Sequence, residues 1–476
     1  MATLSRMRNY LLSKGMQSAL PLMSKTSPET LTKLIETLKD SAIKRMAANH
    51  TGDDITRAMR VEAANGFFEM AKRKLPSLSP ETQKRLCHNL FFNTMHLGDE
   101  ARERYHAKHG EYPPFFLVIS PSMACNLRCT GCYAWKYDKT EMLSFEEMDR
   151  LLTEAKEEMG IYFVTITGGE PTAYKHLFPL VEKHSDIFFQ MYTHGHNIDE
   201  AMAARIAKLG NLYPAISIEG GEAETDTRRG PGAYRKVLSA MEHLRKAGAL
   251  FGFSVTHTRY NHDAVMQGDF FDDMIGHGAA FGWFFQYVMY GKDPDPDLVP
   301  TAEQRYERRE AVLRYRREKP ILVFDFWNDG DSVQGCLAWG RKYVHITANG
   351  NVEPCVFVHF ALDNIREKSL VEIINHPCFK DARTRQPFGE DLRRPCPVID
   401  HPGQLKELVE RYGMFANDGA SMAMITDMHD TVKAQADAYR DYLKAHDAGC
   451  GGHCAACGQA PAEAEAAPAP ADIAGD

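Results

Sequence analysis

The sequence has no stretch approaching the roughly 18 to 20 uninterrupted apolar residues that a membrane-spanning helix requires, which excludes a helical span. It also lacks a secretory signal. Arg6, Arg8 and Lys14 mark the N-terminus, but the apolar run at 10–12 is too short and no small-residue cleavage site follows, so the expected location is the cytoplasm. There is no surplus of positive charge. With 56 Lys and Arg against 64 Asp and Glu, the net charge of -8 gives no general attraction to phosphates, and no nucleic-acid partner is expected. An even number of cysteines is missing too: eleven thiols in 476 residues cannot all pair internally, so reduced thiols or metal ligation replace a disulfide framework. What remains is ordinary globular composition, 44% hydrophobic and 25% charged, with length for two or three domains.

Residues 1–112 read as a helical N-terminal domain. In SPETLTKL and again in SPETQKRL, Ser27 and Ser79 are N-caps, followed by Pro28 and Pro80 at the first helical position, where a missing N–H costs nothing. Segment 6–23 sets Leu11, Leu12, Met16, Leu20 and Met23 beside its basic residues, as an amphipathic helix docked on its own protein or, alternatively, in peripheral contact with a membrane surface. From 113 to 330, six apolar runs (115–120, 162–167, 188–193, 213–219, 251–257 and 281–290) alternate with helical stretches, the pattern of parallel βαβ units in an open barrel. Segment 303–319 holds seven Arg or Lys against four Glu and reads as a solvated helical insertion over 300–320, with Glu310 and Arg314 an i,i+4 pair. Residues 331–458 form a small cysteine-bearing C-terminal domain. The Ala-, Pro- and acid-rich tail 459–476 reads as disordered.

Directly after the first apolar run comes PSMACNLRCTGCYAW, with Cys125, Cys129 and Cys132 in C-x-x-x-C-x-x-C spacing. A compact loop at a strand's C-terminal end can direct three thiolates at three corners of an iron-sulfur cube and leave the fourth iron open; a zinc knuckle lacking one ligand is the competing reading. The next run ends in TGGEPT, where Gly168 and Gly169 leave backbone groups unobstructed and Glu170 and Pro171 fix the turn. On consecutive strands, these two motifs resemble the cluster motif and the methionine-binding motif of the radical SAM superfamily. The resemblance implies a partial (β/α)6 barrel and a [4Fe-4S] cluster on Cys125, Cys129 and Cys132, with S-adenosylmethionine (SAM) chelating the fourth iron. It also implies reductive cleavage of SAM to a 5'-deoxyadenosyl radical that abstracts a substrate hydrogen, with flavodoxin or ferredoxin as reducing partner. It extends to MYTHG (Thr193 and Gly195, with His194 where Asn is common), to Ser217 and Glu219 in ISIEG, and to Arg229, all as SAM-side residues. Tyr133 offers its backbone to adenine, although Gly131 replaces the usual aromatic before the last cysteine.

Farther along, VHITANGNVEPC reads as a β-hairpin with Asn349-Gly350 as its turn, bringing Cys355 back beside Cys336. This resembles the SPASM or twitch extension of radical SAM enzymes and implies one or two auxiliary iron-sulfur clusters, with Cys396, Cys450, Cys454 and Cys457 as further ligands. The usual closely spaced cysteines after the hairpin are absent. Cys87 and Cys378 read as ordinary buried thiols. Substrate contacts are expected at later strand ends, at His257, Gln286 and Tyr290. The implied activity is peptide, natural-product or cofactor maturation; a lipid or membrane-proximal substrate and an electron-transfer iron-sulfur protein without SAM chemistry are the alternatives.

Overall fold

The computed structural model describes residues 54–449, together with Glu36 and Lys39. The expectations for segment 6–23, the Ser27 cap, Cys450, Cys454, Cys457 and the tail fall outside the described residues. No described helix is long and apolar enough to cross a membrane.

Seven parallel strands run in sequence order: β1 (Leu117–Ile119), β2 (Phe163–Ile166), β3 (Phe188–Thr193), β4 (Leu212–Ser217), β5 (Gly252–His257), β6 (Phe281–Gln286) and β7 (Leu322–Asp325). β7 does not pair with β1, so the barrel is open. The strands are covered on both faces, which is why they read as continuous apolar runs rather than alternating ones. The crossover helices carry their own punctuation: Phe145–Met159 starts at a Ser144/Glu147 capping box, ends at left-handed Gly160 and buries Met148, Leu151, Leu152 and Ala155 against the sheet.

Two features depart from the sequence reading. The barrel has a seventh strand, and the segment taken as a solvated insertion is helix Ala302–Glu318, the crossover leading into that strand. Its Ala311, Val312 and Tyr315 join the main core, and Arg305, Arg308 and Arg309 are buried. Glu310 pairs with Arg309 at 2.7 Å rather than with Arg314, whose guanidinium donates to the Tyr315 hydroxyl. The arginines turn inward because carboxylates distant in sequence meet them: Asp400 at 2.6 Å from Arg305, Asp325 at 2.7 Å from Arg308 and Asp331 at 2.7 Å from Arg309.

The helical segment Asp54–Lys74 and the short helix Pro80–Leu86, capped by Ser79 accepting from Thr82 N as expected, close the N-terminal mouth of the barrel. Met70, Leu75, Leu78 and Leu86 pack with Phe188, Tyr213, Leu250 and Phe281 at the starts of the strands. The opposite, C-terminal mouth is left for chemistry.

The hairpin β8 (His345–Ile346) and β9 (Asn351–Glu353) forms with Gly350 at φ +84°, as its sequence predicts. It does not stand apart: β8 pairs in parallel with β1, so the C-terminal domain extends the barrel sheet at its first strand. β11 (Asp363–Asn364) adds to β9, and β10 (Phe360–Ala361) pairs with β12 (Phe415–Ala416) in a separate ribbon.

Candidate metal centre

Cys125, Cys129 and Cys132 lie on the loop that leaves β1 at the C-terminal mouth, with Cys125 exposed and the other two half-buried. Burial raises the Cys125 and Cys132 thiols, and the charges of neighbouring thiolates push the same way. Three thiolates in one loop therefore oppose one another until cations stand between them. Among the described residues, no three His, Cys, Asp or Glu side chains close on a single ion. Ligands of an iron-sulfur cube bind separate irons and need no such convergence, so an all-thiol donor set of this spacing fits the cluster.

The Gly-Gly turn after β2 works differently from the expectation that its backbone amides stand free. Gly169 N donates to Ser122 O at 3.0 Å and Glu170 N to Ala124 O at 2.8 Å, so these amides are spent on the cysteine loop. A Cβ on Gly168, at φ +114°, would lie 2.4 Å from Ser122 O, and one on Gly169 would lie 2.2 Å from Ala124 O. The glycines are required because backbone meets backbone there.

Glu170 is 1% exposed, and its carboxylate is saturated by protein. Oε1 accepts from the Thr172 amide and hydroxyl and from Thr193 Oγ at 2.6 Å, and Oε2 from His194 N at 3.0 Å. Its part is to lock the end of β3 to the turn after β2. His194, standing where Asn is common, accepts at Nδ1 from His196 N, so its Nε2–H donates to Asn126 Oδ1 at 2.8 Å and reaches the cysteine loop. Gly195 takes φ +79° and donates to Thr193 Oγ.

Glu219, also 1% exposed, draws in two arginines. Arg228 donates to its Oε1 at 2.6 Å and Arg229 Nε at 2.8 Å, while Thr256 N donates to Oε2. Arg229 Nη1 then stands 4.0 Å from Cys129 Sγ, and the Arg228 carbonyl accepts from Thr130 N. Arg228 was not singled out by the sequence; only its adjacency to Arg229 hints at it. Ser217 Oγ lies 3.2 Å from Ser254 Oγ on the neighbouring strand. Tyr133 packs on Phe357, bridging to the C-terminal domain. At Gly131, φ +64°, the space a side chain would fill is occupied by the Tyr287 ring, 2.4 Å from the position of a Cβ.

Cys336, Cys355 and Cys396, from three separate segments, belong to one apolar cluster, with Cys336 packed against it; burial holds Cys336 and Cys355 up at about 12 and pushes Cys396 up as well. Tyr343 donates to Cys355 Sγ at 2.9 Å and Val398 N to Cys396 Sγ at 3.3 Å. Cys87 and Cys378 are buried, and Cys378 packs in the same apolar cluster as Cys355 and Cys396.

Between the two thiol groups lies a polar core that sequence motifs did not reveal. Glu353 accepts from Tyr137, from Asn417 at 2.7 Å and from His345 Nδ1 at 2.7 Å, and His345 Nε2 meets Ser120 Oγ at 2.7 Å. His359 donates from Nδ1 to Asp418 at 2.7 Å, leaving its buried Nε2 without a partner among the Tyr133, Tyr137 and Tyr290 rings. Of the expected substrate contacts, Gln286 and Tyr290 line a cleft with Met289, Val299, Val398 and Leu405. His257 does not: it accepts from Arg308 at 2.8 Å and donates to His262, which donates to Glu307, so it packs and relays bonds inside the wall.

Comparison with known proteins agrees with this arrangement. The Radical SAM superfamily profile matches residues 119–267, and the SPASM profile, an iron-sulfur cluster-binding domain, matches 336–397. Mycofactocin maturase MftC of Mycobacterium ulcerans is 33% identical over 307 residues, covering 59% of this chain and 80% of that protein. The PqqA peptide cyclase of Granulibacter bethesdensis is 26% identical over 312 residues, covering 60% and 80%. The crystal structure of Streptococcus suis SuiB bound to S-adenosylmethionine superposes with a TM-score of 0.53 at 18% identity, covering 73% of this chain and 89% of that one, which supports the fold. With its fold, its three-thiol loop and these relatives in agreement, the chain belongs to the radical SAM superfamily, as an enzyme that uses a [4Fe-4S] cluster with SAM and carries a SPASM domain for auxiliary iron-sulfur.

Proposed function

We propose that the enzyme matures a ribosomally made peptide, or a related natural-product or cofactor precursor, by removing a hydrogen atom from a segment seated in the cleft beside Gln286 and Tyr290. The relatives named for mycofactocin maturation and PqqA cyclisation support that substrate class. The observation that carries the reading is Tyr290, which lines the cleft and donates its hydroxyl to the Phe357 carbonyl two residues past Cys355, while Lys292, two residues after it, bonds the Cys132 carbonyl at 3.0 Å, so that this wall of the cleft touches the segments of both thiol groups.

Cys125, Cys129 and Cys132 hold the cluster in this reading, and Cys336, Cys355 and Cys396 hold auxiliary iron-sulfur, with Cys450, Cys454 and Cys457 available to complete it. Bound there, the cluster and SAM supply one-electron cleavage of the sulfonium and a radical that takes hydrogen from carbon. The protein's own part is placement. Gly168 and Gly169 let the turn after β2 close on the cysteine loop, while Glu170 and His194 fix the end of β3 against it. Glu219 aims Arg229 at the thiols, where its positive charge lowers the cost of holding them ionised. Ser217 and Tyr133 border the space left for SAM. The tyrosine rings around His359 keep water from the region between the domains. A cytoplasmic setting suits the unpaired thiols, and a low-potential carrier such as flavodoxin or ferredoxin supplies the electron.

Anaerobically reconstituted protein given SAM and dithionite should release 5'-deoxyadenosine and methionine. With a synthetic precursor peptide of this class, it should also give a product of altered mass. Absence of 5'-deoxyadenosine from fully loaded protein would refute the enzyme reading; its release without any change in the peptide would refute the substrate class.

A further inference from the structure

We propose that the outer face of the cysteine loop is the docking surface for an acidic one-electron carrier protein. The inference rests on the reading that a cluster on Cys125, Cys129 and Cys132 must be reduced before SAM is cleaved.

The chain as a whole is acidic, at -8. Yet the ring of Trp135 is surrounded by cations: Arg128 at 5.9 Å, Lys139 at 5.7 Å and Lys292 at 5.4 Å from its centroid. Lys136 lies on the same turn and is exposed, as Arg128 is. The amino groups of Lys139 and Lys292 are held by backbone carbonyls, those of Ala134 and Arg128. None of the four cations forms an ion pair with a carboxylate among the described residues, whereas the arginines of helix Ala302–Glu318 are bound to acids. Of the acids close by in sequence, Asp138 is turned to the Thr140 amide and hydroxyl, Glu141 stands 3.9 Å from Arg366, Asp295 accepts from the Asp297 amide, and Asp293 beside Lys292 is exposed. Positive charge left uncompensated on an acidic protein attracts a negatively charged partner over about a Debye length, roughly 8 to 10 Å at ordinary salt.

The placement suits electron delivery. Trp135 N bonds the Cys132 carbonyl at 3.2 Å, so the cationic ring lies within one turn of a cluster thiol, and Cys125 itself is exposed. The inner side of the loop is taken by the Glu170, His194 and Arg229 contacts, which leaves the outer side for a protein donor. In the encounter the carrier is oxidised by one electron and the cluster is reduced by one; no atom is transferred.

The test uses the reconstituted holoenzyme, SAM and two reductants: a reduced acidic flavodoxin, and dithionite, which needs no docking surface. R128E and K136E should lower flavodoxin-driven release of 5'-deoxyadenosine about tenfold or more, while dithionite-driven release stays within about twofold of wild type. Flavodoxin binding, followed by fluorescence titration, should weaken with added salt, and less steeply in the variants. Unchanged flavodoxin affinity and rate would overturn the docking surface, as would an equal loss with dithionite, which would mean that the charges act on the loop itself. Wild type that yields no product with dithionite would instead count against the enzyme reading, and the binding titration would still decide the surface.

Discussion

The two thiol groups differ in how the chain assembles them. Cys125, Cys129 and Cys132 come from eight consecutive residues on a loop that is partly exposed, whereas Cys336, Cys355 and Cys396 come from three segments of one apolar cluster, with Cys355 and Cys396 buried and Cys336 half-buried. A local group can be read from spacing and depends on what braces one loop. A dispersed group depends on the packing of a whole domain, so the two should fail differently when perturbed.

Replacing a local ligand should have the largest effect. Cys129→Ala should abolish 5'-deoxyadenosine release while the auxiliary iron remains, and Cys336→Ala should remove about four irons per chain yet leave measurable SAM cleavage. Iron analysis beside product chromatography checks both; a Cys336→Ala protein dead in SAM cleavage would erase the distinction. Next, Arg308→Met should destabilise the fold by about 3–5 kcal/mol in denaturant titration, because it strands Asp325 and unties His257. Gly169→Ala should cost about 1–3 kcal/mol and reduce cluster loading, since its Cβ meets Ala124 O and the cysteine loop must yield. In contrast Arg235→Ala, at an exposed pair with Glu222, should change stability by less than about 0.5 kcal/mol.

Acidity should separate the regions as well. Burial, then the Arg308 charge, holds His257 well below its ordinary value, so the native state refuses a proton that the unfolded chain accepts. Its contribution is intact above about pH 6.5 and is lost as pH falls below that, at up to about 1.4 kcal/mol per unit. His257→Gln should flatten the acid limb of the stability profile; an unchanged limb would remove His257 from the account.

Much of the architecture was legible. Apolar runs announced six strands because parallel strands are covered on both faces, and a cap such as Ser79 needs only local chemistry. The β8–β9 turn was equally local, in Asn349-Gly350. The seventh strand was lost because the arginine-rich helix before it looked solvated. Sequence displays the charges of Arg305, Arg308 and Arg309 but not Asp400, Asp325 and Asp331 waiting for them. Glu170 and Glu219 were marked for SAM contact, and the structure places both in bracing networks around the loop. The His359–Asp418 pair had no motif at all, since its members are 59 residues apart.

By itself the sequence carried the motifs: three thiols at fixed spacing after a strand, followed by a Gly-Gly turn, are local enough to show the resemblance to the radical SAM superfamily, and it is that resemblance which implied the cluster and the reaction. Only the tertiary structure decided how that chemistry is held. Joining β8 to β1 attaches the hairpin that leads to Cys355 to the strand that leads to the first thiol loop, and buried carboxylates choose which arginines turn inward, because a desolvated charge is stable only where folding brings it a partner.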